Sequence, residues 1–250
     1  NTGSKSAGKR ADALLEKMEQ YEAKGLNTLK PNVITYTNAM EAWISSGQPE
    51  SLAKVEAIFG RMNDRASRGD SHSEPTTTTC NVLMKAIRFS SHPLKYQKAE
   101  ELLSRMKEIQ KNGGRNKPSI VTYNAFFSAC AMTQGDTDDK INAFSSVLNA
   151  LIELQDINHL NADAYTWPAV WKACENLLDV NRDLNWINRI FELTIKSGYV
   201  NELLFNNLRR FLPPQYLQKK LSTDKDVRQL TVHDLPREWT RNVKLGRDQF

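Results

Sequence analysis

The sequence predicts an all-α fold, a helical-repeat solenoid of helix–turn–helix units, and three observations carry that prediction. The first is self-similarity. The rows PNVITYTNAMEAW, PTTTTCNVLMKAI, PSIVTYNAFFSAC and ADAYTWPAVWKAC start at Pro31, Pro75, Pro118 and Ala162, at steps of 44, 43 and 44 residues. The second is two columns without exception: Thr35, Thr79, Thr122 and Thr166, then Ala42, Ala86, Ala129 and Ala173. Fixed-period repetition marks stacked units that bury their apolar faces on one another. The third is the apolar spacing of three and four within each row and in the stretch that follows it, the period of an amphipathic helix.

Residues 1–30 read as the second helix of a partial repeat. Ala11, Leu14, Leu15 and Met18 match Ala99, Leu102, Leu103 and Met106, and Met18 precedes Pro31 by 13 residues much as Met106 precedes Pro118 by 12. The chain also opens on Asn1 rather than Met, so further repeats are expected upstream, and the missing leader says nothing about compartment. Gly3 to Lys9 outlines a phosphate-binding loop, GSKSAGK, but Arg10 follows Lys9 where Ser or Thr belongs. The register makes this stretch an interhelix loop instead.

Full repeats follow at 31–74, 75–117, 118–161 and 162–199. The second shows the unit best. Val82, Leu83, Met84, Ala86, Ile87 and Phe89 give a helix over Asn81 to Phe89 with a broad buried face. Pro93 breaks the run. Ala99, Leu102, Leu103, Met106 and Ile109 then set a second helix over Gln97 to Ile109, with Lys98, Glu101, Arg105 and Glu108 outside. KNGGRNK supplies the glycines of a helix stop. The Thr column falls near the start of each first helix, where its hydroxyl can accept from an orphan backbone N–H. The Ala column marks the expected close approach of the two helices. Residues 200–221 form a degenerate capping repeat, with Leu204 in the Thr column and Pro213-Pro214 stopping its first helix. Residues 222–250 are a basic tail in which Trp239 is expected to anchor on the last repeat.

Composition narrows function. The chain holds 34 Lys+Arg against 29 Asp+Glu, a net +5, and residues 201–250 carry 10 against 6. Most of the basic excess thus sits in residues 201–250 rather than in the full repeats, and the basic balance gives only weak support for nucleic acid as a partner of the repeats. No run approaches the roughly 18 apolar residues of a membrane span. Cys80, Cys130 and Cys174 form no CxxC pair, and the last two share the register of Trp43 and Ile87, a core position. His72, His92, His159 and His233 share no ligand spacing, so no metal or cofactor is expected. Asp138 and Asp139, placed in the loop after Gly135, need no catalytic explanation, and neither an enzyme nor a small-molecule substrate is expected.

The blocks Val33-Ile34-Thr35-Tyr36 and Val121-Thr122-Tyr123-Asn124, followed by helices such as Ala99-Glu100-Glu101-Leu102-Leu103-Ser104-Arg105-Met106, resemble the pentatricopeptide repeat family from about residue 9 to about residue 212. Each unit is several residues longer than the usual family repeat, and the excess is expected in the two loops. The resemblance implies a right-handed superhelix that binds single-stranded RNA in a mitochondrion or plastid, serving RNA processing, stability or translation, with one base per repeat read by two or three side chains. Carried over residue by residue, the first base-reading position is Thr37, Asn81, Asn124 and Pro168. The second is Thr76, Ser119, Asp163 and Asn201, and the base-flanking position is Ile34, Thr78, Val121 and Tyr165. In the family's code Asn124 with Asp163 implies uridine and Asn81 with Ser119 implies cytidine. Thr37 with Thr76 leans toward purine, while Pro168 has no donor or acceptor with which to read. The alternative expectation is a protein-interaction solenoid, a ribosome-associated or assembly factor, favoured by the near-neutral repeat region and by Pro168.

Overall fold

A computed structural model describes residues 5–114, 116–157 and 160–243, and all described secondary structure is helical. The chain forms two compact units, Asn1–Gly135 and Asp136–Phe250.

In the first unit the helices are α1 (Ala7–Ala23), α2 (Val33–Ser46), α3 (Ser51–Ser67), α4 (Thr77–Phe89), α5 (Lys95–Lys111) and α6 (Ile120–Cys130). Each packs on its neighbours in a repeating order. The first helices α2, α4 and α6 touch in succession, and each second helix lies between its own first helix and the next. Both helices of the second repeat extend beyond their apolar runs, α4 by four residues at its start, where Thr76 caps it, and α5 by two at each end. Helix α5 ends at Lys111, and Gly113 follows with φ 78°, the left-handed turn expected of KNGGRNK.

Several expectations change. Gly8 is helical rather than part of a loop, and a Cβ there would meet the Trp43 ring at 2.5 Å, so the glycine lets α1 seat directly on α2. Gly3 and Ser4 lie outside the described residues. Of the matched apolar residues of α1, Leu15 is buried but Leu14 is 60% exposed. Phe89 is 62% exposed under the Arg88 guanidinium, 5.0 Å from its ring centre, rather than part of the buried face. The Ala column is buried at Ala86, Ala129 and Ala173 and half-buried at Ala42.

The second unit holds α7 (Thr137–Asp156), α8 (Thr166–Leu177), α9 (Leu184–Ser197), α10 (Glu202–Phe211), α11 (Pro214–Leu221) and α12 (Arg237–Thr240). Asp138 and Asp139 belong to the first turn of α7, not to a loop. Asp136 Oδ1 accepts from the Asp139 N–H at 2.9 Å, and the Asp139 carboxylate returns the favour to the Asp136 N–H at 3.3 Å. The second helices α3, α5 and α7 run to 17, 17 and 20 residues.

The tail covers the end of this unit. Val227, Leu230, Val232, Leu235 and Trp239 are all buried. Trp239 meets Phe191 edge-on at 5.4 Å, and its carbonyl accepts from Val200 N–H at 2.9 Å. Arg209 donates to the carbonyls of Leu230 at 2.6 Å and Arg228 at 3.2 Å, so its cation satisfies carbonyls at the end of the short 3-10 helix Val227–Gln229. Helix α11 has only eight residues. Cys80, Cys130 and Cys174 are buried, and burial pushes the thiols of Cys130 and Cys174 well up. Among the described residues no group of His, Cys, Asp and Glu is arranged to hold a metal ion, and no helix is long and apolar enough to cross a membrane.

Candidate nucleic-acid interface

The starts of α2, α4 and α6 share one construction. Asn32, Thr76 and Ser119 are N-caps, and each forms a reciprocal box with the Thr three residues on. Thr35, Thr79 and Thr122 Oγ1 accept from the cap N–H at 3.4, 3.2 and 3.0 Å. In the other direction the Thr79 and Thr122 N–H groups donate to Thr76 and Ser119 hydroxyls, each at 3.3 Å. The invariant Thr is therefore half of a cap. Its hydroxyl takes the donor that the helix leaves orphaned.

The same box recurs in the second unit. Asp163 Oδ1 accepts from Tyr165 N–H and Thr166 N–H, both at 2.9 Å, and Asp163 N–H donates to Thr166 Oγ1 at 2.9 Å. Helix α8 begins only at Thr166, with Pro168 in its first turn, where a missing N–H costs no hydrogen bond. Asn201 caps α10 through Leu204 N–H at 2.9 Å, but Leu204 has no hydroxyl to complete a box.

Thr76, Ser119, Asp163 and Asn201, carried over as base readers, thus already serve the backbone. Thr37 is committed as well. Its hydroxyl donates to Val33 carbonyl at 2.7 Å and lies 3.1 Å from Thr79 Oγ1, itself 3.1 Å from Thr76 Oγ1. A chain of three hydroxyls therefore joins Thr37 to Thr76 across neighbouring helices. Asn81 and Asn124 occupy the corresponding sites on α4 and α6 and are half-buried. Asn81 Oδ1 is buried with no hydrogen-bond partner, an unmet acceptor at the helix surface.

The flanking column stands out in solvent. Ile34, Val121 and Tyr165 are 65%, 58% and 78% exposed, and Thr78 is exposed as well. Leu203, at the same register of α10, is 62% exposed. Apolar side chains at one repeated surface position need a reason that core packing does not supply. In the first unit an open cavity of about 470 Å³ brings Ile34, Thr76 and Thr78 together with Asn32, His72 and Asn116. Thr37, Asn81, Ser119, Val121 and Asn124 do not line it. Sequence reasoning missed His72 and Asn116 here. Both lie in interhelix loops where no repeat column points to them.

The charge on these first helices is muted in each unit. Lys85 on α4 is paired with Glu41 on α2 at 2.7 Å, and Lys172 and Arg210 in the second unit both reach Glu175, at 2.9 and 3.0 Å. Burial tends to raise the Glu175 carboxyl, but its bonds to these two cations hold it below the usual range. No protein-family model, curated protein or solved structure matches the chain.

Proposed function

We propose that the chain is a helical-repeat solenoid of the pentatricopeptide type that binds single-stranded RNA. It would act in RNA processing, stability or translation in a mitochondrion or plastid. One observation carries the reading: each first helix presents an exposed flanking side chain and, three residues on, the position held by Thr37, Asn81 and Asn124. An aliphatic or aromatic side chain such as Val121 or Tyr165 suits the face of an unstacked base, and an amide such as Asn81 or Asn124 suits its edge. Binding strength would come from shape and stacking more than from charge. On this reading the protein acts without catalysis, by occupying a stretch of transcript.

Titration with labelled pyrimidine-containing oligonucleotides at two salt concentrations tests it. Binding to single strands over duplex is expected, with a loss of about tenfold or more when Asn81→Ala and Asn124→Ala are combined, as base stacking and edge contacts contribute about 1–3 kcal/mol each. Affinity unchanged by the double variant would overturn the reading mechanism.

A second reading, a protein-interaction scaffold, is favoured by the Glu41–Lys85 pair, which removes a cation that phosphates would otherwise meet. Partners that survive nuclease treatment in a pull-down would support it over the first.

A further inference from the structure

The column that holds Tyr36 in the first repeat and Tyr123 in the third holds Cys80 in the second. Tyr36 is fully buried, and its hydroxyl donates to Glu19 on α1 at 2.7 Å. Glu19 and Asn63 share a register, because each follows a Met that stands 13 residues before its row. In the second repeat Asn63 cannot play the part of Glu19, since it turns its amide back onto the Phe59 carbonyl at 2.9 Å. The smaller cysteine leaves a hollow where the first repeat has a phenol ring.

The hollow measures about 140 Å³. Its walls are Phe59, Leu102, Met106 and Ile109, with Asn63, Cys80 and Asn116 adding polar atoms. Arg105 and Glu74 stand at its exposed rim. A cavity of about 150 Å³ lined by such side chains holds one benzene ring. Asn116 is 6% exposed, and its Nδ2 donates to Cys80 Sγ at 3.0 Å. Its Oδ1 is buried without a partner, an acceptor that nothing in the fold satisfies. Burial pushes the Cys80 thiol up despite Asn116 and Arg105, which keeps this wall neutral.

We propose that this hollow is a binding site for a small hydroxy-aromatic ligand of phenol size. The ring would fill the space that Tyr36 fills one repeat earlier, against Phe59, Leu102 and Met106, while its hydroxyl donates to Asn116 Oδ1. The apolar walls select an uncharged ring, and the unpartnered acceptor of Asn116 favours phenol over benzene. The inference does not rest on RNA binding, although Asn116 also lines the cavity beside Ile34 and Thr76.

Phenol and benzene are the probes, with thermal melting and ligand-observed saturation-transfer NMR as readouts on the intact chain. Phenol at ten times its Kd is expected to raise the melting temperature by about 3–6 °C. Cys80→Tyr, which fills the hollow from within, is expected to melt higher than the native chain and to lose the response to phenol. Cys80→Phe makes the same comparison if the tyrosine variant does not fold. Asn116→Leu is expected to bind phenol and benzene alike. The proposal is overturned if millimolar phenol gives the native chain no saturation-transfer signal, or if the response persists undiminished in the filled variants.

Discussion

Where α1 meets α3, Arg61 and Arg65 reach Asp12, Glu19 and Glu22 at 3.2, 3.3 and 2.7 Å, and Arg65 and Lys30 share Asp70 at 2.9 and 3.0 Å. At the far end of the second unit the tail is held instead by buried apolar groups around Trp239 and Phe191. The two regions solve one problem, closing a helix pair against the next segment, with opposite chemistry. The charged seam depends on protonation and salt. The apolar cover depends on shape, so it is sensitive to volume and indifferent to ionic strength.

Truncating the apolar cover is the largest way to break that contrast. Trp239→Ala is expected to destabilise the second unit by about 3–5 kcal/mol, the usual cost of emptying a buried aromatic site. Hydrogen exchange should accelerate in α9 and α12 and stay unchanged in α1.

Acid should act on the other side. Burial would raise the Asp70 carboxyl, but hydrogen bonds from Lys30, Ser73 and Arg65 outweigh it and hold it at about 2 against an ordinary 3.8. Its contribution is therefore complete above about pH 4 and disappears as pH falls through about 2. The loss amounts to about 2 kcal/mol, because the side chain is only 12% exposed. Exchange of α1 amides across that pH range checks it, and Asp70→Asn should abolish the step.

A smaller effect separates helix starts from both regions. Thr122→Val keeps the shape of a fully buried residue but strands the Ser119 N–H, at a cost of about 1 kcal/mol by urea melting. The smallest is ionic strength. Raising salt from about 0.1 to about 1 M should loosen exposed pairs such as Lys85–Glu41 by a few tenths of a kcal/mol and leave Trp239 burial untouched.

The helices and the capping duty of the Thr column were legible in the sequence, because apolar period and cap chemistry act over three or four residues. Trp239 as an anchor was legible too, since a lone tryptophan among charges has to be buried somewhere. Other features were not. Phe89 follows the apolar pattern of α4 yet is exposed, since pattern cannot say where a neighbouring helix ends. Cys80 reads as an ordinary core residue. Only the placement of Phe59, Asn63 and Asn116 around it reveals a space. The buried run Val227, Leu230, Val232 and Leu235 has no helical or strand period, so nothing local marks it as packed. At the candidate interface the residue types were legible but their engagement was not: whether Thr37 is available depends on Thr79, 42 residues away.

The reciprocal caps carry one more consequence. On the proposed reading, Thr76, Ser119 and Asp163 each speak to a base while holding a helix shut. A side chain in that post must be short and bear an oxygen that bends back onto its own main chain, which admits Ser, Thr, Asn and Asp and little else. Any recoding of this protein toward a new transcript is thereby confined to a four-letter alphabet at one of its two reading columns. The other column, free of that duty, is where wider variety could enter.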